Sequence, residues 1–436
     1  MRRLLARPWA AVLLLAGAVA LFLFPLARQP LAFPFSPGSA YSDALIAHLS
    51  SALFVQRAVE TWGQIPLWNP TLLSGMPFAA DPLSGLWYPP LWLLALAPSA
   101  AAINLLFWAH LVLGGLGMFL LLRAEGLGNL ASLAGGLAFA GMPKLVGHVG
   151  LGHLTLVFAV CWSPWVLLSV GRAIDGLAAN HWIRKFLLAG LLGGVVFVAD
   201  PRWFVPTMLV AVAYGVWRWT SRPAGSARSI PRLLKGSAAA GIALAAVAAA
   251  LALPLAEFVG LSTRASLTAA AADVYALPAE GLLGMLVVSR GARAEWMVST
   301  GSVSLVLAAA GIGALWKRTL FWTGVFALAL ILALGQATPL GVVFSVLPGA
   351  DLVRVPARWL FFSGMGSAAL AAYGVAAVEG GTEGKSIRSM RLAALFVGAV
   401  VVAVSLGVGL ISGEVSAWSA LFAVLAVVVV SVGGRT

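Results

Sequence analysis

Charge is what this chain has least of. Asp, Glu, Lys and Arg make up 9% of its 436 residues, against roughly 25% in a soluble domain. So few charges cannot cover a water-soluble globule of this size, and that class is excluded. Cysteine is almost absent as well. The single Cys161 rules out an internal disulfide and a thiolate metal cluster. Its place inside an apolar run makes it a small buried hydrophobe. Acids are scarce too, 14 against 27 Lys and Arg, for a net charge of +13. What fills the sequence is hydrophobic, 61% of it, in runs of about 17 to 25 residues, each long enough to cross a bilayer core. The chain reads as an all-α polytopic membrane protein forming one integral domain, 1–436.

MRRLLAR before the first apolar run has the look of a signal peptide, but FLFPLARQP carries no small-x-small cleavage pattern. An uncleaved first span at about 9–26 is the better reading. Further spans fall at about 102–122, 130–143, 154–171, 184–199, 203–219, 236–259, 300–316, 319–335, 359–378, 391–411 and 416–433, about 12 in all. With both termini inside, 18 of the 27 basic residues and only four acids lie in inner loops. That is the asymmetry expected of a chain that obeys the positive-inside rule. The basic charge is therefore topological, and a nucleic-acid partner is not implied. The substantial loops, 28–90, 260–299 and 336–358, then all fall outside, which places a site at that face. No internal repeat is evident, against a transporter built from duplicated halves.

The first outer loop ends in PLWNPTLLSGMPFAADPLSGLWYPP, Pro66 to Pro90. Its prolines and glycines fit neither a span nor a regular helix. Trp68, Trp87 and Tyr88 are ring types that favour the headgroup level, so the loop is expected to be structured and close to the bilayer. Before it, Asp43 to Thr61 reads as an amphipathic surface helix, with Leu45, Leu49, Ala52, Leu53 and Val59 on its apolar side. Asp43 is at its start, either capping the helix or free to act as a base, with His48 nearby. In the loop, Asp81 is a second carboxylate or an Asx-turn residue. Asp200 and Arg202 occupy a tight outer turn, as a simple ion pair or as part of an acceptor site. His148 and His153, five apart around Gly150 and Gly152, would need a helix break there to meet. With Asp43 they are weak candidates for a divalent metal, Mg or Mn; packing or headgroup contact is the alternative. Arg354 and Arg358, four apart around Pro356, would suit a lipid phosphate or simply snorkel toward the headgroups, and Arg264 would serve the same anion. Lys144, Arg290 and Arg293 read as ordinary surface charge. No organic cofactor is implied.

Several stretches together resemble the YfhO-like bacterial membrane proteins, within the wider set of GT-C-fold glycosyltransferases. They are IPLWNPTLLSGMPFAADPLSGLWYPP, VGHVGLGHLTLVFAVCWSPWVLL (Val146 to Leu168), LPLAEFVGLSTRA (Leu253 to Ala265), EWMVSTGSVSLVLAAAGI (Glu295 to Ile312) and LGQATPLGVVFSVLPGADLVRVPARW (Leu334 to Trp359). Asp200-Pro201-Arg202 stands where that family commonly has a Gly-His-Pro-Gln type sequence, and Asp81 where Asn is common. The resemblance implies a GT-C-like bundle in the bacterial cytoplasmic membrane. It also implies transfer of a sugar from a polyprenyl-phosphate carrier at the outer face to a cell-envelope glycan, lipid or protein. The family's key Asp, early in the first outer loop, matches Asp43. The other readings are a lipid or polymer transporter or flippase, and a non-catalytic envelope assembly protein.

Overall fold

The computed structural model describes residues 8–23, 28–34, 41–222, 229–262, 273–286, 293–346, 354–380, 385–412 and 417–433. Among them there is no strand. One bridging pair, Asn69 with Met76, closes a loop. The helices begin with α1, Pro8–Phe22, and α2, Ser50–Trp62, which is preceded by a wide π turn over Ala44–Leu49. Next come α3, Trp92–Leu96, α4, Ala100–Ala124, α5, Asn129–Ala140, and α6, Pro143–Gly150. The middle of the chain forms α7, Leu154–Asp175, α8, Trp182–Ala199, α9, Pro201–Thr220, and α10, Ile230–Gly260. The last are α11, Ser302–Ala333, α12, Pro339–Ser345, α13, Leu360–Glu379, α14, Lys385–Ser412, and α15, Ala417–Gly433.

Among the described residues, eight helical stretches are long and apolar enough to cross a membrane, with α5 and α6 together forming one of them. This multi-pass bundle has fewer such helices than the expected 12. The apolar cores of α1 and α15 are shorter, and α9 carries Arg202, Pro206 and Arg218. The expected spans 300–316 and 319–335 are one helical run, α11, bent at Leu315 (φ −128°, ψ 37°). A straight helix of 32 residues would be about 48 Å long, well beyond the ~30 Å bilayer core. Instead the chain on both sides of α11 returns to one place. The Leu277 N–H donates to Ala333 O (2.8 Å), and Trp296 Nε1, just before α11, donates to Tyr275 O (3.3 Å). Near the bend, Ser386 Oγ donates to Ala314 O (2.8 Å) and Arg318 Nη2 to Glu125 O (3.3 Å).

The two ends of the bundle differ in chemistry. At one, here the site end, the described loop segments 41–99, 273–286, 293–300, 334–346 and 354–359 meet the α6–α7 turn. At the other, the far end, arginines tie helix ends together: Arg218 to Asp175, Arg222 to Ile174 O (2.8 Å) and Arg232 to Leu177 O (2.9 Å). Glu125 is buried there. It accepts from Tyr214 Oη (3.0 Å), Trp322 Nε1 (2.9 Å) and Tyr373 Oη (2.9 Å), joining the end of α4 to α9, α11 and α13.

The core sits on α7 and α13, in each of which 83% of the apolar stretch is buried, against 17% in α10. Small residues let α13 approach α11 closely. A Cβ added at Gly374 would come within 2.0 Å of Leu307 O. Among the loop aromatics, Trp68 is exposed but Tyr88 is turned into the core. It is buried, accepting from Trp162 Nε1 (2.7 Å) and lying 2.7 Å from His110 Nε2. Within the loop 260–299, Ala279–Met285 forms a 3-10 turn.

Candidate functional site

The site is assembled by a backbone-to-backbone contact. Gly152, between α6 and α7, has φ +73°, and a Cβ there would lie 2.4 Å from both Ala44 N and Ser42 Oγ. Only glycine combines that conformation with that closeness. The Asp43 N–H donates to Leu151 O (3.0 Å), which sets Asp43 beside His153. The same break turns the chain between the two histidines, so that the His148 and His153 rings stand 5.2 Å apart. Asp43 precedes the π turn but makes no side-chain capping bond. Its carboxylate is left for other work, and Oδ2 lies 3.4 Å from His153 Nε2.

Glu295 is the centre of the charge array, and it joins two other segments, α6 and the turn Pro356–Trp359. Oε1 accepts from Arg358 Nη2 (3.1 Å), and Oε2 lies 3.2 Å from His148 Nε2 and 3.5 Å from Lys144 Nζ. Lys144 is itself buried and donates to Glu295 O (2.6 Å). Burial alone would raise the Glu295 carboxyl, but His148, Lys144 and Arg358 outweigh it and hold it well below the usual range. Asp43 is half-buried, and burial raises its carboxyl while Arg202 and Arg358 pull it back. Burial pushes His153 down to about 3, with His148 adding to it, so its imidazole is neutral.

These neighbours orient the rings. The His148 Nδ1–H donates to Lys144 O (2.9 Å) and turns Nε2 toward Glu295 Oε2, where a proton on Nε2 makes the ion pair that holds the carboxyl down and a neutral ring leaves a lone pair. His153 turns Nε2 to the Asp43 carboxylate, which favours hydrogen on Nε2 and leaves Nδ1 bare. His148 Nε2, His153 Nδ1 and Glu295 Oε2 are all buried without a hydrogen bond. With the His148 ring neutral, Nε2 and Oε2 are two acceptors facing each other, a place that a proton or a metal ion would fill. His148, His153 and Glu295 offer ligand atoms within 4.8 Å of one another, so the cluster is able to hold a divalent metal. Hydrogen bonding of each outer ring nitrogen to a carbonyl or carboxylate is the arrangement usual around metal-bound histidines. Two imidazoles and one carboxylate suit Mn or Zn better than Mg, which prefers oxygen ligands and its own water. Among the three expected candidates, Asp43 stands behind His153, and Glu295 takes its place in the cluster.

Asp200 is fully buried at the start of α9. Oδ1 accepts from Arg202 N (3.0 Å) and Nε (2.8 Å), and Oδ2 from Arg202 Nη2 (2.5 Å) and Thr155 Oγ1 (3.2 Å). Burial would raise this carboxyl, but Arg202 wins and keeps it below the carboxylate range. A carboxylate saturated in this way positions Arg202 and takes up no proton. His48 is buried, with neither ring nitrogen hydrogen-bonded, beside a small cavity closed by Leu86, Leu91 and Leu94. Asp81 caps its own turn, accepting from the Leu83 N–H (2.9 Å), and lines a 670 Å³ groove with Arg57, Trp62 and Phe78. Arg354 and Arg358 do not share a helical face. Val355 between them has φ +71°, an outlier for a β-branched residue, which leaves Arg354 exposed while Arg358 turns in to Glu295. Arg264 lies outside the described residues.

Lys144, expected as ordinary surface charge, is instead buried against Glu295, a residue to which the sequence assigns no role. Each has a local signal: Lys144 follows Pro143 at a helix start, and Glu295 precedes an apolar run. Neither signal names a partner about 150 residues away. Compared with protein-family models, with curated proteins and with solved structures, the chain matches none.

Proposed function

We propose that this chain is a GT-C-like glycosyltransferase of the bacterial cytoplasmic membrane, taking its sugar from a polyprenyl phosphate at the outer face. The observation that carries the reading is the meeting, at one end of a membrane bundle, of an uncapped, half-exposed Asp43 with Arg202 and Arg358. Transfer from a lipid phosphate needs a group to receive the acceptor proton and cations to hold the departing phosphate.

In this reading the acceptor hydroxyl attacks the anomeric carbon and the carbon–oxygen bond to phosphate breaks. The hydroxyl proton passes to Asp43, and polyprenyl phosphate departs with both bonding electrons. Asp43 suits the role because burial raises its proton affinity while part of it stays accessible. Arg202, anchored by Asp200, and Arg358, anchored by Glu295, would face the phosphate. His148, His153 and Glu295 would hold a divalent ion, Mn or Zn by their chemistry, which when bound supplies positive charge near the leaving group.

The test is sugar transfer by protein purified into lipid nanodiscs, with a series of polyprenyl-phosphate-linked sugars. Asp43→Asn should keep its fold and lose ~10²–10⁴-fold in turnover. Wild-type protein inactive with every such donor would sink the proposal and favour a transporter or an assembly role. Full turnover in Asp43→Asn would remove Asp43 as the base.

A further inference from the structure

Away from the site, a groove of 510 Å³ opens between α4, α7 and α8. Its walls are Leu113 of α4, Trp162, Trp165 and Leu168 of α7, and Leu188 and Leu192 of α8. The polar groups that line it are Ser169, Arg172 and Lys185. Ser169 Oγ already donates to Val166 O (2.7 Å), and both tryptophan Nε1 groups are engaged, with Tyr88 Oη (2.7 Å) and Leu113 O (2.9 Å). The wall therefore presents apolar surface along its length, with two cations at the far end.

Arg218, Arg222, Arg232, Arg318 and Arg123 at the same end are all spent on a carboxylate or a carbonyl. Arg172 and Lys185 have no hydrogen bond or ion pair among the described residues. Room is made for Lys185 by Gly176, where a Cβ would lie 2.3 Å from Lys185 Nζ. Along α7 the groove runs from Trp162 to Arg172, a rise of about 15 Å, which is half of a ~30 Å hydrocarbon core. The outward side of α8 is apolar and exposed at Leu187, Leu188 and Leu191, so the groove opens where lipid tails lie.

We infer that this groove binds one anionic glycerophospholipid from the far leaflet, an acyl chain along Trp162, Trp165 and Leu192 and the phosphate between Arg172 and Lys185. The depth matches one leaflet, and the two cations, without a partner among the described residues, would sit at the level of its headgroups. Basic pockets between membrane helices recognise anionic headgroups in this way. The inference does not depend on the glycosyltransferase reading.

The experiment is tryptophan quenching in nanodiscs of phosphatidylcholine doped with brominated lipid. The Trp165 signal is taken as the difference between wild type and Trp165→Phe. At a low mole fraction, brominated phosphatidylglycerol should quench that signal about tenfold more effectively than brominated phosphatidylcholine. The Arg172→Gln/Lys185→Gln double variant should lose the preference while keeping its melting temperature. Equal quenching by the two lipids would overturn the inference, as would a preference that survives the double substitution. So would displacement of the brominated lipid by millimolar glycerol phosphate, because a free anion would then suffice.

Discussion

Glu295 has more charged partners than any other described residue at the site end, and its removal should be felt both in stability and in ligand binding. Glu295→Gln leaves Lys144 buried without a counter-charge, a loss typically of 3–5 kcal/mol, read as a lower melting temperature in detergent. Lys144→Met added to it should recover part of that loss, since an uncompensated buried charge is then removed. Metal content separates the cluster's second role. Wild-type protein equilibrated with Mn or Zn and desalted should retain about one equivalent by elemental analysis. His148→Ala should retain none, and equal retention in the two would exclude the cluster as the holder. His48 gives a pH signature. Burial pushes it down to about 4, with Arg202 adding to the effect, from an ordinary 6.5. A folded-state value below the unfolded one means that its contribution is full above pH 6.5 and is lost as pH falls toward 4. Each unit in that window costs up to about 1.4 kcal/mol. Melting temperature should therefore drop between pH 6.5 and 4, and His48→Gln should flatten the drop.

At the scale of elements, the α6–α7 turn matters most. Gly152→Ala combines a left-handed φ with a collision against Ala44 N, and about 2–4 kcal/mol of destabilisation is expected. Gly241→Ala in α10, where a Cβ meets nothing within 4 Å, should be neutral or slightly stabilising. Equal melting temperatures for the two variants would show that the backbone contact does not hold the site. The apolar runs made most of the helices legible, because spanning length and hydropathy are local properties. The bend at Leu315 was not legible as one run, since the Lys317-Arg318 pair divides the apolar stretch just where the helix continues through a single distorted residue. The register of the first surface helix was misjudged for a similar reason. The π turn over Ala44–Leu49 changes which residues face inward, so that Ala44 and His48 are buried while Leu45, expected on the apolar side, is exposed, as is Val59 further along. Candidate site residues at the ends of spans, His148, Asp200 and Arg358, could be found by topology. The partners Lys144 and Glu295 could not, because their pairing is set by how α6 packs on the turn at Ala294–Trp296.

For the molecule as a whole, the buried Cys161 gives a quiet background for single-cysteine labelling. Thr71→Cys at the site end should react with an impermeant maleimide in intact cells, and Lys317→Cys at the far end only after permeabilisation, as the basic loops require. The reverse pattern would invert the topology. The Lys144–Glu295 contact, spanning 151 positions, also orders events during synthesis. At ~5–20 residues per second, the ribosome delivers Glu295 on the order of ten seconds after Lys144. Throughout that interval Lys144 and His148 have emerged without the carboxylate that completes their cluster. The nascent chain must keep the Lys144 ammonium in water, near the bilayer surface, with the α6–α7 turn still open. Closure of the cluster thus comes late in biogenesis, and a chain truncated before residue 295 would be left with a cation it has no means to bury.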